Sequence, residues 1–288
     1  MNNKIILYSN IDNDTDFIMT RHVGELLRKN GRKTVFCPAF ADDDETTVPP
    51  PGYEVSKLEN EMPSAEMVIT FGGDGTILRA ARAAAEAGVP ILGINLGGKG
   101  FMAELEAEDT ALLEYAAAGK YKTESRMMLD AEVLRNNEVI YNDFALNDVV
   151  IKGDNKVIEL TLYGDGQRIT GFSGDGTVVA TPTGSTAYSM SAGGPIVDPA
   201  AHNIIITPIC AHVLEARSFV LVSDKCVSVE IGSRRHNPAY MSVDGGSHTD
   251  IESGDIIKVY KSKKCTRLVR LSNRSFYKRV SEKLGERN

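Results

Sequence analysis

Met67-Val68-Ile69-Thr70-Phe71-Gly72-Gly73-Asp74-Gly75-Thr76 decides the fold class, because an apolar, β-type run ends abruptly in three glycines around one carboxylate. It reads as strand, turn, helix. The next residues, Ile77-Leu78-Arg79-Ala80-Ala81-Arg82-Ala83-Ala84-Ala85, are strong helix formers, and the pattern stops at Gly88 with Pro90 just beyond. Glycines at a helix start let backbone N–H groups close on an anion, and the positive end of the helix dipole favours phosphate there. A carboxylate beside bound phosphates repels them, so Asp74 needs a task in such a setting. It would take a proton from an attacking hydroxyl or help to hold a magnesium ion. The plain alternative is a strand-to-helix turn in which Asp74 only caps the helix. The loop alone leaves both readings open. Its spelling does exclude two familiar phosphate loops: no Gly-Lys-Ser/Thr closes it, as in a Walker A loop, and Gly72-Gly73-Asp74-Gly75 lacks the G-x-G-x-x-G dinucleotide spacing.

Outward from this stretch, apolar strand patterns at 5–8, 34–37, 67–71 and 91–94 alternate with helical patterns at about 16–30, closed by Gly31, and in the Ala-rich run. That is the βαβ rhythm of an open parallel sheet, in which ligands bind at the carboxyl ends of the strands. The acidic and proline-rich stretch from Asp42 to Gly52 reads as a surface loop. After about Glu124 the rhythm changes to short β segments parted by turns such as Asn136-Asn137, Gly164-Asp165-Gly166 and Gly174-Asp175-Gly176. Segments at 128–134, 139–141, 157–163, 168–172, 178–181, 219–222, 227–231, 241–243, 256–260 and 268–271 follow this pattern. The expectation is an α/β N-terminal domain with an open parallel sheet over 1–124 and a β-rich C-terminal domain over 125–271. The basic tail, Lys278 to Lys283, reads as a solvated helix, with 272–288 able to pack back on the first domain.

At 288 residues and a net charge of -7, the chain is long enough for two domains and too acidic to suggest a nucleic-acid binder. The amino-terminal run Ile5-Ile6-Leu7-Tyr8 is too short for a signal peptide, and no stretch approaches a membrane span, so a cytoplasmic protein without a membrane partner is expected. Cys37, Cys210, Cys226 and Cys265 form no C-x-x-C pair and read as buried thiols. The five histidines form no recognisable metal or nucleophile set. An anionic substrate must then be held by local amides, local basic groups or metal.

Four further stretches carry more glycine and polar residues than packing requires. They are Gly93-Ile94-Asn95-Leu96-Gly97-Gly98-Lys99-Gly100-Phe101, Ala145-Leu146-Asn147-Asp148, Gly174-Asp175-Gly176 through Thr181-Pro182-Thr183-Gly184-Ser185-Thr186-Ala187-Tyr188, and Val243-Asp244-Gly245-Gly246. With the Gly-Gly-Asp-Gly-Thr loop, these resemble the motifs of the NAD kinase family, in the family's order. The loop is shared with lipid kinases of the diacylglycerol and sphingosine type; the run Thr183 to Tyr188 discriminates. The resemblance implies transfer of the γ-phosphoryl of ATP, with Mg²⁺ or another divalent cation, to the 2′-hydroxyl of the adenosine ribose of NAD. It implies Asp74 as the catalytic residue, and Gly73, Gly75 and Thr76 beside it as contacts.

It further implies NAD contacts from Asn147 and Asp148, from Thr183, Thr186, Ala187, Tyr188 and Ser191, and from Asp175, Asp244 and Phe101. Each has a plain alternative: an Asx turn at 147–148, a core tyrosine at 188, hairpin turns at 175 and 244, a core aromatic at 101. Members of the family resemble homo-dimers or homo-tetramers with sites built across subunits. The sequence departs from the pattern where Leu96-Gly97-Gly98-Lys99 replaces a His/Arg-Leu before Gly-Phe, and at Ser173, where an arginine is common. Lys99 and Arg79, with Arg82, are then the candidate phosphate contacts. Two other readings stand beside this one: a lipid kinase, and a non-catalytic NAD-sensing protein, against which Asp74 argues.

Overall fold

The computed structural model describes residues 3–39, 50, 52–98, 100–211, 217–232, 237–272 and 275–285. Lys99 and nearly all of the acidic, proline-rich stretch lie outside the described residues. Two compact units emerge, Met1–Ser125 with Thr266–Asn288, and Arg126–Cys265.

The first unit opens with β1 (Lys4–Asn10), α1 (Ile18–Lys29), β2 (Lys33–Ala39), a short α2 (Leu58–Glu61), β3 (Met67–Gly72), α3 (Asp74–Ala87), β4 (Ile91–Asn95), the two-residue β5 (Leu105–Glu106) and α4 (Leu113–Ala117). The strands pair in parallel in the order β2-β1-β3-β4, with Leu7 opposite both Phe36 and Ile69 and Val68 opposite Ile91. Central parallel strands are covered on both faces, which is why β3 and β4 are apolar throughout rather than alternating. Helix α3 buries Thr76, Ile77, Ala80, Ala81 and Ala84 at helical spacing, leaving Arg79 and Arg82 exposed. It ends as the sequence predicts, with Gly88 in the left-handed conformation (φ 66°) and its N–H on the Ala84 carbonyl. Helix α1 starts later than the pattern suggests, because buried Asp14 accepts the amides of Met19 and Thr20 and the Thr20 hydroxyl. Ile5, Leu7, Leu27, Phe36, Ile69, Phe71, Leu92 and Leu105 form the core of this unit.

The second unit contains β6 (Lys122–Arg135), β7 (Glu138–Ala145), β8 (Asp148–Gly153), β9 (Ile158–Gly164), β10 (Gln167–Gly174), β11 (Gly176–Ala180), the single-turn α5 (Tyr188–Ser191), β12 (Asn203–Ile209), β13 (Phe219–Val222), β14 (Val227–Ile231), β15 (Ala239–Val243), β16 (Thr249–Ile251) and β17 (Ile256–Arg270). One antiparallel sheet runs β13-β12-β11-β8-β15-β16, and a second runs β10-β9-β14-β17 with β6 beside β17 and β7 beside β6. Leu129, Val149, Ile151, Leu160, Val179, Ile206, Val229, Met241 and Val259, drawn from both sheets, form one buried cluster, as in a β-sandwich. The turns at Asn136-Asn137, Asp165-Gly166 and Asp244-Gly245 hold positive φ at both residues, the geometry of tight hairpins.

Four expectations change. Segments 256–260 and 268–271 belong to one strand, because small buried Ser262 and Thr266 continue the inward face through a polar stretch. Leu268 pairs in parallel with Ile91, so the chain returns to the first unit from Thr266 rather than from 272. The tail forms α6 (Phe276–Leu284), capped by the Ser275 hydroxyl, but it is not simply solvated: Arg279 is buried. Of the cysteines, Cys37 is buried, whereas Cys210 and Cys265 are exposed. No helix among the described residues is long and apolar enough to cross a membrane.

Candidate active site

In the first unit, β3 delivers Gly73 in an extended conformation as the N-cap of α3, and Asp74 becomes the first helical residue. The cap position is Gly73 and the Asp74 carboxylate is turned to residues far along the chain, so the plain turn-and-cap reading does not describe it. Instead the carboxylate reaches across the loop and accepts the N–H groups of Phe101 at 2.7 Å and Met102 at 3.0 Å. Segment 100–103 wraps it closely: a Cβ on Gly100 would stand 2.9 Å from Asp74 Oδ1. Burial pushes the Asp74 carboxyl above its ordinary value, while the amides of Phe101, Met102 and Ala103 and the charge of Lys283 pull the other way. A fixed, partly desolvated carboxylate with lone pairs to spare is suited to accepting a proton. Gly75 is exposed and Gly73 partly so, whereas Thr76 is 2% exposed beneath them and donates its N–H to Gly73. Phe101 is half-buried and serves Asp74 through its backbone.

In the second unit, the turn before β8 is held by Asp244, whose carboxylate accepts the amides of Leu146 (2.7 Å), Asn147 (2.7 Å) and Asp148 (3.1 Å). Asp244 thus acts here as a clamp on the 146–148 turn as well as a hairpin residue. The Thr-Pro-Thr-Gly run lies on the same turn: the Thr181 hydroxyl donates to the Leu146 carbonyl at 2.6 Å, and its N–H to Asn147 at 2.9 Å. Gly184 in turn donates its N–H to the Thr181 hydroxyl. Two motifs far apart in sequence are therefore one structure.

Most hydroxyls of that run are spent internally. Ser185 Oγ donates to the Pro182 carbonyl and accepts from Val197 N–H, and Ser189 and Thr207 share a hydrogen bond. Thr183 is buried, with Arg126 Nη1 3.4 Å from its hydroxyl. Arg126 is itself only 2% exposed. An arginine at the head of a strand carried no sequence signal for this position. Thr186 and Ala187 are partly exposed, Ser191 is exposed, and Tyr188 is 36% exposed, so Tyr188 is not a core tyrosine. Asp175 stands apart. It precedes β11, whose Gly176 pairs with Lys152 and whose Ala180 pairs with Asp148, so Asp175 lies at the far end of that strand, about 15 Å away at ordinary strand rise.

Asp148 is 5% exposed, and burial together with the charge of Asp244 pushes its carboxyl up to about 7. The folded protein therefore holds this proton more tightly than the unfolded chain. The associated stability is present below about pH 4 and lost as pH rises to about 7. Asp148→Asn removes this titration. We expect its unfolding free energy to fall less between pH 5 and pH 8 than that of the parent, leaving it more stable by about 2 kcal/mol at pH 8. Denaturant unfolding at the two pH values checks this; identical pH slopes refute it.

Models of the ATP-NAD kinase N-terminal domain and the ATP-NAD kinase C-terminal domain match residues 8–121 and 146–271. A NAD kinase of Natranaerobius thermophilus is 47% identical over 223 residues, covering 76% of this chain and 78% of that protein. A NAD kinase of Lachnoclostridium phytofermentans is 37% identical over 99% of both chains. Among solved structures, yeast NADH kinase complexed with NADH superposes with a TM-score of 0.83 at 24% identity, covering 99% of this chain and 88% of that one. An NAD kinase from Archaeoglobus fulgidus in complex with ATP does so with a TM-score of 0.75 at 23% identity, covering 98% of each. At those identities the superpositions show a shared fold.

Proposed function

This chain belongs to the NAD kinase family, and from that premise we propose that Asp74 is the general base that activates the acceptor hydroxyl. The enzyme phosphorylates NAD to NADP and uses ATP. The lipid-kinase and NAD-sensor alternatives give way to the match with both kinase domains. One observation carries the assignment of the base: the Asp74 carboxylate, at the first residue of α3, is oriented by two backbone amides from across the loop. As the 2′-hydroxyl of the adenosine ribose attacks the γ-phosphorus, Asp74 takes its proton, a contribution typically of about 10²–10⁴-fold. Gly73 and Gly75 offer amides at a helix start to the phosphates, with exposed Arg79 on the same helix as a further contact.

In the second unit, Asn147 and Asp148 hydrogen-bond NAD, Asp148 with a proton it can hold or release near pH 7. Thr186, Ala187, Tyr188 and Ser191 supply the remaining accessible surface of the Thr-Pro-Thr-Gly run, and Thr183 and Asp244 shape it from beneath. Because Asp175 lies at the other end of β11, its contribution to this cluster comes from a second copy of the chain, in keeping with a homo-dimer or homo-tetramer. Among the described residues, no three His, Cys, Asp or Glu side chains gather to hold a cation, and both Asp74 oxygens are engaged by amides. We take Mg²⁺ to arrive with the donor as the counterion of its triphosphate. The cytoplasm, where NAD and ATP are at hand, is the proposed compartment.

Incubating the purified protein with NAD, ATP and Mg²⁺, and detecting product with an NADP-specific dehydrogenase, tests the activity; phosphorylation of diacylglycerol or sphingosine without NADP would overturn it. If the Tyr188 ring packs on the dinucleotide, Tyr188→Ala weakens NAD binding by about 1–3 kcal/mol with little change in Tm. Calorimetry distinguishes this from a packing role, which would lower Tm and leave the NAD affinity intact.

A further inference from the structure

Helix α6 is absent from the motifs that mark the family, yet its last turn lies against the loop that holds Asp74. Lys283 Nζ is 3.4 Å from the Gly98 carbonyl and 3.6 Å from Glu106 Oε1, and its side chain is only 18% exposed. The contacts continue inward. Glu106 Oε2 accepts from Asn95 Nδ2 at 2.6 Å, the same Nδ2 donates to Gly98 at 3.2 Å, and Asn95 Oδ1 accepts the Gly97 amide. Lys283, Glu106 and Asn95 therefore tie Gly97 and Gly98 to Glu106, on either side of Phe101 and Met102. Those two residues supply the amides that grip Asp74.

We infer that Lys283 is a positioning residue for Asp74: anchored on α6, it holds Gly98 and Glu106, and with them residues 100–106, against the carboxylate and adds a positive charge beside it. The root of the helix is itself fixed. Buried Glu104 accepts the amides of Leu271 and Ser272 and the Ser272 hydroxyl, and pairs with Arg270, which also binds Glu124. Arg279 Nη1 stands 3.9 Å from the same Glu104 carboxylate. A helix tied down at its base presents Lys283 to the loop without much loss of side-chain freedom, which a lysine on a loose tail would incur.

The charged groups around Asp74 sort themselves out by partner. From its own helix, Arg79 is exposed and acts electrostatically on Tyr8. From segment 100–106, Glu104 is turned to Arg270 and Glu106 to Asn95 and Lys283; from the loop after β1, Asp14 is turned to Thr20. Among the described residues, Lys283 is the cation that acts on Asp74 directly, opposing the effect of burial and favouring the ionised base. Removing that charge raises the Asp74 pKa, so the acidic limb of the rate profile moves to higher pH.

This inference rests on Asp74 being the base, and the test separates the two. The kcat and KM values of Lys283→Met, Lys283→Arg and Asp74→Asn are measured from pH 5 to pH 9 with saturating ATP and Mg²⁺. Lys283→Met is expected to shift the acidic limb upward by roughly half a pH unit, lowering kcat by up to about 3-fold on that limb, with both KM values changed less than about 2-fold. Lys283→Arg restores most of the limb. An unmoved limb, a fall in Tm with an unchanged profile, or a rise only in the KM for ATP overturns the role of Lys283. Near-normal turnover of Asp74→Asn overturns the base assignment instead.

Discussion

Asp74→Asn should lower kcat by at least about 10²-fold while NAD affinity, measured by calorimetry, stays close to that of the parent. Asparagine matches aspartate in size and ranks beside it at helix starts, so α3 forms as before. It cannot accept a proton. One of its two side-chain positions becomes an NH₂ group facing an amide of Phe101 or Met102, where the carboxylate accepted at 2.7 and 3.0 Å. That mismatch costs about 1–3 kcal/mol of local stability, partly offset because the buried negative charge is removed. The change in Tm should therefore be small beside the change in turnover. Raising Mg²⁺ should recover none of the lost rate, since the lost step is proton acceptance. Turnover near that of the parent, or recovery with Mg²⁺, would remove Asp74 from its role as base.

The second large effect is structural and reaches the second unit. An alanine at Gly184 would place its Cβ 2.5 Å from the Asn147 carbonyl carbon, 2.8 Å from its Cα, and nearer still to its carbonyl oxygen. These are backbone atoms in a turn clamped by three Asp244 hydrogen bonds and by Thr181, so they cannot step aside cheaply. Gly184→Ala should cost about 3–5 kcal/mol of stability, in the range of severe overpacking. What folds should bind NAD at least about tenfold more weakly, because Asn147 is displaced. Gly75→Ala is the matched control: nothing lies within 4 Å of its would-be Cβ, and alanine is the better helix former. Its denaturation midpoint should hold or rise. Equal midpoints for Gly184→Ala and the parent would refute the steric account.

Locally determined features were legible in the sequence. The strand, glycine loop and helix from Met67 to Gly88 follow from a β-type run, the absence of side chains at three positions, and an Ala-rich periodicity. The hairpins at Asn136-Asn137 and Asp165-Gly166 follow from residues that tolerate positive φ. Strands β8 and β12 were less visible because their short apolar runs are continuous and lack the alternation that marks a strand. β17 looked like two strands because Ser262 and Thr266 face inward while being polar.

The sequence by itself determined the motifs proposed to meet a nucleotide and the order in which they occur, because those are short and their spacing is set within a few peptide bonds. Tertiary structure alone decided what each carboxylate does. Asp74 is held by amides 27 and 28 residues away, and Asp244 clamps amides 96 to 98 residues before it. Asp148 acquires its raised pKa, and Lys283 its place beside Gly98, in the same way. Hydrogen bonds and burial depend on which distant segments the sheets bring together, and no spacing along the chain records that.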